Sequence, residues 1–371
     1  MKVKTCPNCG SRMKKNGTTS SGRQRWRCTK CNVSRTHSYG TEAKELALFV
    51  KWLLSKDTQI EMPGQGRTFR RHTAQFWKLW PMPDIVDEVH RVIYVDGIWL
   101  AKDVVILIAC SDSYVLSWYL ARAETSQSWM ALLSRIAPPD VVVTDGGTGF
   151  AKAVSEVWPN TRVQRCLFHA FCQVKRYTTS RPKLQAGYEL YNLSKELMHI
   201  DTVHQAEWWI ERFMQWCDFW CDFLDQISII DGKKEYTHYR LRKARSSLVR
   251  LINAGTLFTY LDPELTAEGP LPRTNNKIES TNAQLRAVLR NHRGLNIERR
   301  IKAVYWWCYM HTEAPKSYAE ILKTMPTDDD IEILKSEYSI KSDDIGSPQK
   351  WGEGLVWNEF HTKTPYPYAI Y

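Results

Sequence analysis

At 371 residues with 43% hydrophobic composition, the chain can bury a substantial core, and its length fits two or three domains of a soluble globular protein. No apolar h-region opens it and no run approaches the roughly 18 uninterrupted apolar residues of a membrane span, so no membrane partner and an intracellular, cytoplasmic location are expected. The formal charge of +11 is uneven: residues 1–80 carry 17 Lys and Arg against 4 Asp and Glu, leaving 34 against 36 in the remainder. A basic block ahead of a near-neutral body suggests a polyanion-binding arm on another module, because clustered cations attract phosphate and release its counterions. Of the ten cysteines, four form C-x2-C pairs and the rest are scattered through hydrophobic segments, which fits metal ligation in a reducing compartment better than disulfides.

Residues 6–31 read CPNCGSRMKKNGTTSSGRQRWRCTKC. Cys6, Cys9, Cys28 and Cys31 have zinc-ribbon spacing. Each pair turns two thiolates toward one tetrahedral Zn2+, and so short and polar a segment needs the ion for its folding energy. A redox dithiol or four unrelated core cysteines is the alternative. Arg23, Arg25, Trp26 and Arg27 lie between the pairs and are expected on DNA phosphates. From Thr41 the residues Leu46, Leu48, Phe49, Trp52 and Leu53 are spaced for one helical face. A short segment, DTQIEM, is halted by the PGQG turn at 63–66, and RTFRRHTAQFWKLW then reads as a helix with Arg67, Arg70, Arg71 and Lys78 exposed around Phe69, Phe76 and Trp77. That is a helix-turn-helix order, although three small amphipathic helices in an ordinary bundle would look similar. PMPDIVD is the expected linker.

Beyond it the periodicity changes. VIYVDGIWL (92–100), VVILIACSDS and YVLSWYLARAE are rich in β-branched and aromatic residues and read as an antiparallel meander. SQSWMALLSRI reads as a helix, VVVTDGG as an apolar strand, GFAKAVSEVW as a helix and TRVQRCLFHAF as a further strand. Three antiparallel strands followed by helix, strand, helix, strand is the order of an RNase H-like α/β fold. A doubly wound sheet would not begin with three strands in a row. Residues 182–270 read as a helical, tryptophan-rich insertion in which Trp208, Trp209, Trp216 and Trp220 serve as helix-packing core, with Trp208, Trp216 and Trp220 roughly on one face. A basic helix at 238–252 is a reasonable phosphate contact. Beyond residue 313 the chain turns acidic and then aromatic, without a functional reading.

In such a sheet the first and fourth strands are neighbours, so Asp96 and Asp145 would meet; a third acid, Glu279 in TNNKIESTNAQLRAVLRNHRG, would come from a helix packed against them. Three converging carboxylates repel one another unless a divalent cation neutralises them. Mg2+ (or Mn2+) suits an oxygen-only site, and two ions support in-line phosphoryl displacement. Each residue has a plainer reading: Asp96-Gly97 as a hairpin turn, Asp145 as a helix cap, Glu279 as part of an Asn276 capping box. Against the last, Glu279, Asn282, Arg286, Arg290 and Arg293 would fall along one helical face, a carboxylate followed by arginines able to track a DNA backbone.

YVDG, VTDGG, QRCLFH and TNNKIESTNAQLR, at these separations and with a helical insertion before the glutamate, resemble the DDE transposases of bacterial insertion sequences in the Mutator-like superfamily. The ribbon and the RTFRR helix resemble a zinc-ribbon-bearing subgroup, and the likeness covers roughly residues 5–312. The resemblance implies Asp96, Asp145 and Glu279 as the catalytic, Mg2+-binding triad, and Cys166 and His169 as a C-x2-H motif in a supporting role, two ligands being too few for zinc. It implies as partners the double-stranded DNA of element ends and target, a homodimer or larger assembly, and a nucleoid-associated location. The expected organisation is a zinc ribbon at 1–38, a helix-turn-helix at 41–80, a linker at 81–91, the core at 92–181, a helical insertion at 182–270, the glutamate helix within 271–312, and a tail at 313–371. A nuclease or resolvase on the same fold, or an inactive DNA-binding regulator, is the rival reading.

Overall fold

The computed structural model describes residues 5–20, 22–36 and 41–341. Residues 1–4, 21 and 37–38 of the expected ribbon, and 342–371 of the expected tail, lie outside them. Strands β1 (Met13–Thr18), β2 (Gln24–Cys28) and β3 (Ser34–Thr36) form an antiparallel sheet with β2 central. Alternation along β2 exposes Arg25 and Arg27 and turns Trp26 and Cys28 inward. The buried cluster of this module is only Cys6, Met13, Cys28 and Val33, far below what holds a fold without a crosslink or ion.

Helix α1 (Thr41–Leu54) buries Leu46, Phe49, Val50, Trp52 and Leu53, with Leu48 half-buried. A 3-10 turn at Gln59–Glu61, closed by a Thr58/Glu61 capping box, precedes α2 (Arg67–Thr73), which tightens into a second 3-10 turn over Ala74–Lys78. The continuous basic helix expected from residue 67 to 80 is therefore shorter and changes pitch at Ala74. Gly66 caps α2 at φ +79, and a Cβ there would lie 2.4 Å from the Gln59 carbonyl oxygen, so only glycine closes this turn.

The central sheet is built from β4 (Val92–Ala101), β5 (Val104–Cys110) and β6 (Val115–Ala121), followed by α3 (Ser126–Leu133), β7 (Val141–Thr144), α4 (Thr148–Val157) and β8 (Arg162–Arg165). Its order is β6-β5-β4-β7-β8; β4, β5 and β6 pair antiparallel, whereas β4–β7 and β7–β8 are parallel. The fold is thus mixed α/β. Asp96 pairs with Ile108 and Gly97 with Leu107, so β4 runs straight through the Asp-Gly pair and makes no turn there. Period-two alternation splits the apolar residues between two faces. Ile93, Val95, Val105, Leu107 and Val142 pack with Trp129 and Leu132 of α3 and Phe150 and Val154 of α4. Val92, Tyr94, Ile98, Ile106, Ile108 and Val143 pack into the larger core on the other face.

The expected strand through TRVQRCLFHAF breaks at Cys166. β8 ends at Arg165, and α5 (Leu167–Thr178) begins at once with Cys166 in its N-cap position, the Cys166 amide still pairing with the Thr144 carbonyl and the Ala170 amide closing the first turn on the Cys166 carbonyl. Next come α6 (Gln185–Glu196), α7 (Val203–Phe219), α8 (Cys221–Leu224), the hairpin β9 (Ile227–Ile230) and β10 (Lys233–Tyr236), α9 (Tyr239–Asn253) and α10 (Pro263–Thr266). The stretch expected to be wholly helical therefore contains a hairpin, turning at Asp231-Gly232 with both φ positive. On α7 the buried face is Trp209, Phe213 and Trp216; Trp208 is 54% exposed, which corrects its placement in the core. The basic helix α9 spends Arg240 on the carbonyls of Arg176 and Tyr177 at the end of α5, and Arg242 on Asp225.

Helices α11 (Asn276–Asn291) and α12 (Ile297–Met310) contribute Ile278, Leu285, Ile301, Tyr305 and Trp306 to the larger core, so they cover the sheet face to which Tyr94 and Ile98 point. Then α13 (Tyr318–Thr324) buries Ile321 against that same core, and α14 (Asp328–Lys341) opens with three acids at its positive end. Trp80 donates its amide to the Pro326 carbonyl and its indole N–H to Asp328. Lys302, fully buried, reaches Asp328 (2.5 Å), Glu298 (3.0 Å) and the Trp77 carbonyl (2.6 Å). The segment after residue 313 is thereby tied to the N-terminal helices and to α12.

Candidate active site

Register brings the two aspartates together. The β4–β7 ladder runs from Val92↔Val141 to Val95↔Thr144, and the next residue on each strand is an aspartate. Since Tyr94 and Ile98 face α11, alternation aims Asp96 there as well. Its Oδ1 accepts the Gly97 amide at 2.8 Å and its Oδ2 accepts Asn282 Nδ2 at 2.7 Å. Burial, reinforced by the Asp145 carboxylate, pushes Asp96 up to about 7, and the Gly97 and Asn282 donors only partly offset this. Asp145 follows the end of β7, and Gly147 rather than Asp145 occupies the cap of α4.

Glu279 lies in the first turn of α11, three residues before Asn282 and so on the same face. The cap of α11 is Asn275, which makes no side-chain cap bond; its Nδ2 donates to the Val95 carbonyl (3.2 Å) and its amide to Cys166 Sγ (3.3 Å). The capping-box reading of Glu279 is therefore not realised. Instead, the single Cys166 sulfur joins the starts of α5 and α11. Burial raises the Cys166 thiol above its ordinary range, opposed by nearby backbone amides. One turn into α5, His169 Nδ1 stands 3.6 Å from Glu279 Oε1, beyond hydrogen-bond range, and both atoms are buried without a partner. Cys166, His169 and Glu279 present one ligand atom each within 4.8 Å of one another. The structure thus sets Glu279 directly against the C-x2-H pair and one helical turn from the Asn282 contact to Asp96.

Three neighbours escaped the sequence reading. Arg165 lies over Gly146, where a Cβ would come 2.3 Å from its Nη1; burial lowers it, and the Asp145 charge counteracts this. Asn282 was visible only as a position on the glutamate face, and it is fully buried with its Oδ1 unpartnered. Glu124, just after β6, accepts the Trp99 indole N–H at 2.8 Å, and burial raises it, with Asp145 adding to the effect. Asp96, Asp145 and Glu279 offer oxygen donors of the kind Mg2+ takes, and buried oxygens of Glu279 and Asn282 lack partners, while the ligand atoms gathered within 4.8 Å of Glu279 are those of Cys166 and His169.

The four ribbon cysteines are all free and gather their Sγ atoms within 4.8 Å, with Cys6–Cys31 and Cys9–Cys28 at 3.4 Å. Cys28 Sγ accepts the Lys30 and Cys31 amides, a cradle for a thiolate. Burial pushes the Cys6 thiol up to about 12, while the Ser11 hydroxyl and amide hold Cys9 down at about 6. Such a four-sulfur cluster is compatible with a zinc ribbon. Of the expected DNA contacts, Arg23, Arg25, Arg27, Arg67, Arg70, Arg71, Arg286 and Arg290 are exposed, Arg70 also reaching Gln59. Arg293 is exposed but lies past the end of α11, since the helix closes at Asn291, so it is not on that helix face. Lys78 is half-buried and faces Asp329 at 3.8 Å, which turns it toward the protein's own acidic helix.

Residues 96–229 match the family model described as Transposase, Mutator family, a span that begins at Asp96, includes Asp145, Cys166 and His169, and stops before Glu279. Over 112 residues the chain is 38% identical to the transposase for insertion sequence element IS6120 of Mycolicibacterium smegmatis. That alignment covers 29% of this chain and 31% of the relative, so the chain spans about a third of the length of the curated relative it matches. No helix among the described residues is long and apolar enough to cross a membrane. Over residues 96–229, then, this chain is similar to the Mutator family of transposases, and over 112 residues to the transposase of an insertion sequence.

Proposed function

We propose that the protein is a DDE transposase that binds the terminal inverted repeats of its element, cleaves them at a metal-dependent site and transfers the freed strand into target DNA. The observation that carries this reading is the β4–β7 register, which sets Asp96 and Asp145 side by side under the helix bearing Glu279. The strand order β6-β5-β4-β7-β8, antiparallel then parallel, with α11 over β4, supports an RNase H-like core. Asp96, Asp145 and Glu279 would hold Mg2+ or Mn2+, which would supply Lewis-acid polarisation and charge neutralisation at the scissile phosphate. Asn282 holds Asp96 in one orientation, and the buried strands keep both aspartates on a rigid frame. His169, beside Glu279, is placed to orient it, and Arg165 offers a fixed cation next to Asp145.

Exposed arginines on the ribbon, on α2 and along α11 would carry the DNA backbone, with Zn2+ folding the ribbon. Paired element ends call for paired sites, hence a homodimer or larger assembly on cytoplasmic DNA. The test is incubation of purified protein with Mg2+ and labelled terminal-repeat DNA, wild type beside Asp145→Asn. Cleavage and joining by the wild type alone supports transposition. Cleavage without joining would indicate a nuclease or resolvase, and binding without either would leave a DNA-binding regulator.

A further inference from the structure

The geometry points to a second zinc site, built by Cys166, His169 and Glu279, that clamps the start of α5 to the start of α11. It goes beyond the reading of Glu279 as a partner of Asp96 and Asp145 and does not depend on that reading. The three side chains each bring one ligand atom within 4.8 Å of the other two, and His169 Nδ1 stands 3.6 Å from Glu279 Oε1. Ligand atoms roughly 2.0–2.3 Å from one tetrahedral ion lie about 3.3–3.8 Å from each other, so this pair already has the spacing that a shared ion imposes. Two of the ligands come from one turn: with Cys166 at the cap of α5 and His169 three positions on, thiol and imidazole fall on one side of the helix start. Packing brings the third. The Asn275 amide donates to Cys166 Sγ at 3.3 Å and the Leu167 amide to the Arg273 carbonyl at 3.0 Å, which docks the first turn of α11, and Glu279 with it, against α5.

The independent sign of a ligand is a pair of unpaired atoms. His169 Nδ1 and Glu279 Oε1 are both buried, and neither has a hydrogen-bond partner among the described residues. At 3.6 Å they are too far apart to satisfy each other. Buried polar atoms left unpaired cost free energy, and one cation between the two removes both deficits. Cys166 is fully buried, with the Asn275 N–H already directed at its sulfur, so the thiol is a fixed interior group rather than a surface one. The donor set selects the ion. A thiolate, an imidazole and one carboxylate oxygen suit Zn2+, whereas Mg2+ takes oxygen ligands in a near-octahedral array. Three protein ligands leave a fourth, open position on a tetrahedral ion. The Glu279 side chain keeps 39% exposure although Oε1 is buried, so it reaches solvent through its other atoms and offers this site its inward oxygen. Holding that oxygen fixes the direction of the carboxylate.

The experiment counts zinc per chain by elemental analysis, on the full chain purified with Zn2+ and then dialysed against excess Mg2+, for wild type, His169→Ala, Cys166→Ala, Glu279→Gln and Cys28→Ser. Two zinc ions are expected in the wild type, one in the ribbon and one here. His169→Ala and Cys166→Ala should each keep one, and so should Cys28→Ser, which leaves this site whole. Glu279→Gln should release the second ion to a chelator that the wild type withstands, an amide oxygen being a poorer ligand than a carboxylate. Wild-type zinc content in His169→Ala would overturn the proposal, as would a single wild-type zinc that Cys28→Ser loses and His169→Ala keeps. A single zinc lost in His169→Ala and kept in Cys28→Ser would uphold this site and remove the ribbon's ion instead. No zinc retained against Mg2+ would remove both. The His169 side chain is 33% exposed, so His169→Ala is the variant that keeps the core intact if Cys166→Ala does not. Matching far-ultraviolet circular dichroism of His169→Ala and wild type in chelator separates lost ligation from lost structure.

Discussion

Asp96 carries the most direct pH consequence. Folded, it keeps its proton up to about 7, against an ordinary value of 3.8, chiefly because it is buried and secondly because Asp145 is close. Between those values the folded chain binds more protons than the unfolded one. Metal-free stability therefore falls as pH rises through that window and is unaffected below it. Asp96→Asn removes the penalty: with chelator present, its melting temperature should exceed the wild type's at about pH 8 and match it at about pH 4. The difference should be on the order of a few kcal/mol, since one pH unit of displacement is about 1.4 kcal/mol. Equal melting temperatures at both pH values would refute it. Asp96 stood out in the sequence because it interrupts an apolar strand, where a charge has no packing reason to be, and Asp145 because it directly follows one. Glu124, Arg165 and Asn275 were not, because each is a single polar residue in a stretch without periodicity and only tertiary packing brings it to the site.

Helices and turns show the same division. The meander and the parallel β7 follow from alternation and β-branched runs, and they formed as their patterns imply. The start of α5 did not, since Cys166, Leu167 and Phe168 suit a strand as well as a helix; what marks the break is tertiary, the Cys166 sulfur accepting the Asn275 amide at the start of α11 and the Leu167 amide reaching the Arg273 carbonyl. The β9–β10 hairpin had its Asp-Gly signal, masked by the helical sequence on both sides. At the turn before α2, Gly66→Ala places a Cβ against a backbone oxygen at positive φ, at a cost of about 1–2 kcal/mol. DNA affinity should fall along with the melting temperature if α2 is the reading helix; unchanged affinity would relocate DNA reading elsewhere. The buried cluster of the N-terminal module, Cys6, Met13, Cys28 and Val33, is too small to hold a fold without a crosslink or an ion. One zinc per ribbon is expected, lost in Cys28→Ser together with the ribbon's protection from proteolysis while the central sheet stays folded. A chain that retains ribbon structure in chelator contradicts this.

The chain closes on itself through Lys302. Its buried ammonium joins α12 to the Trp77 carbonyl and to Asp328, so the N-terminal helices, the sheet's cover and the segment after residue 313 share one polar joint. Lys302→Met leaves those acceptors unmatched and should destabilise by on the order of 3 kcal/mol. Amide exchange should then quicken together in α1, α13 and the start of α14; an effect confined to α12 would show that the joint carries no coupling. Glu279 depends on a different long-range link. It arrives 134 positions after Asp145, on a helix docked by Asn275 to β4 and by its amide to Cys166. During synthesis at about 5–20 residues per second, the aspartate pair emerges on the order of ten seconds before the helix that covers it. A nascent chain therefore spends that interval with the sheet face uncovered by α11, and any product truncated before α11 carries residues 96–229, the span that matches the family model, without Glu279.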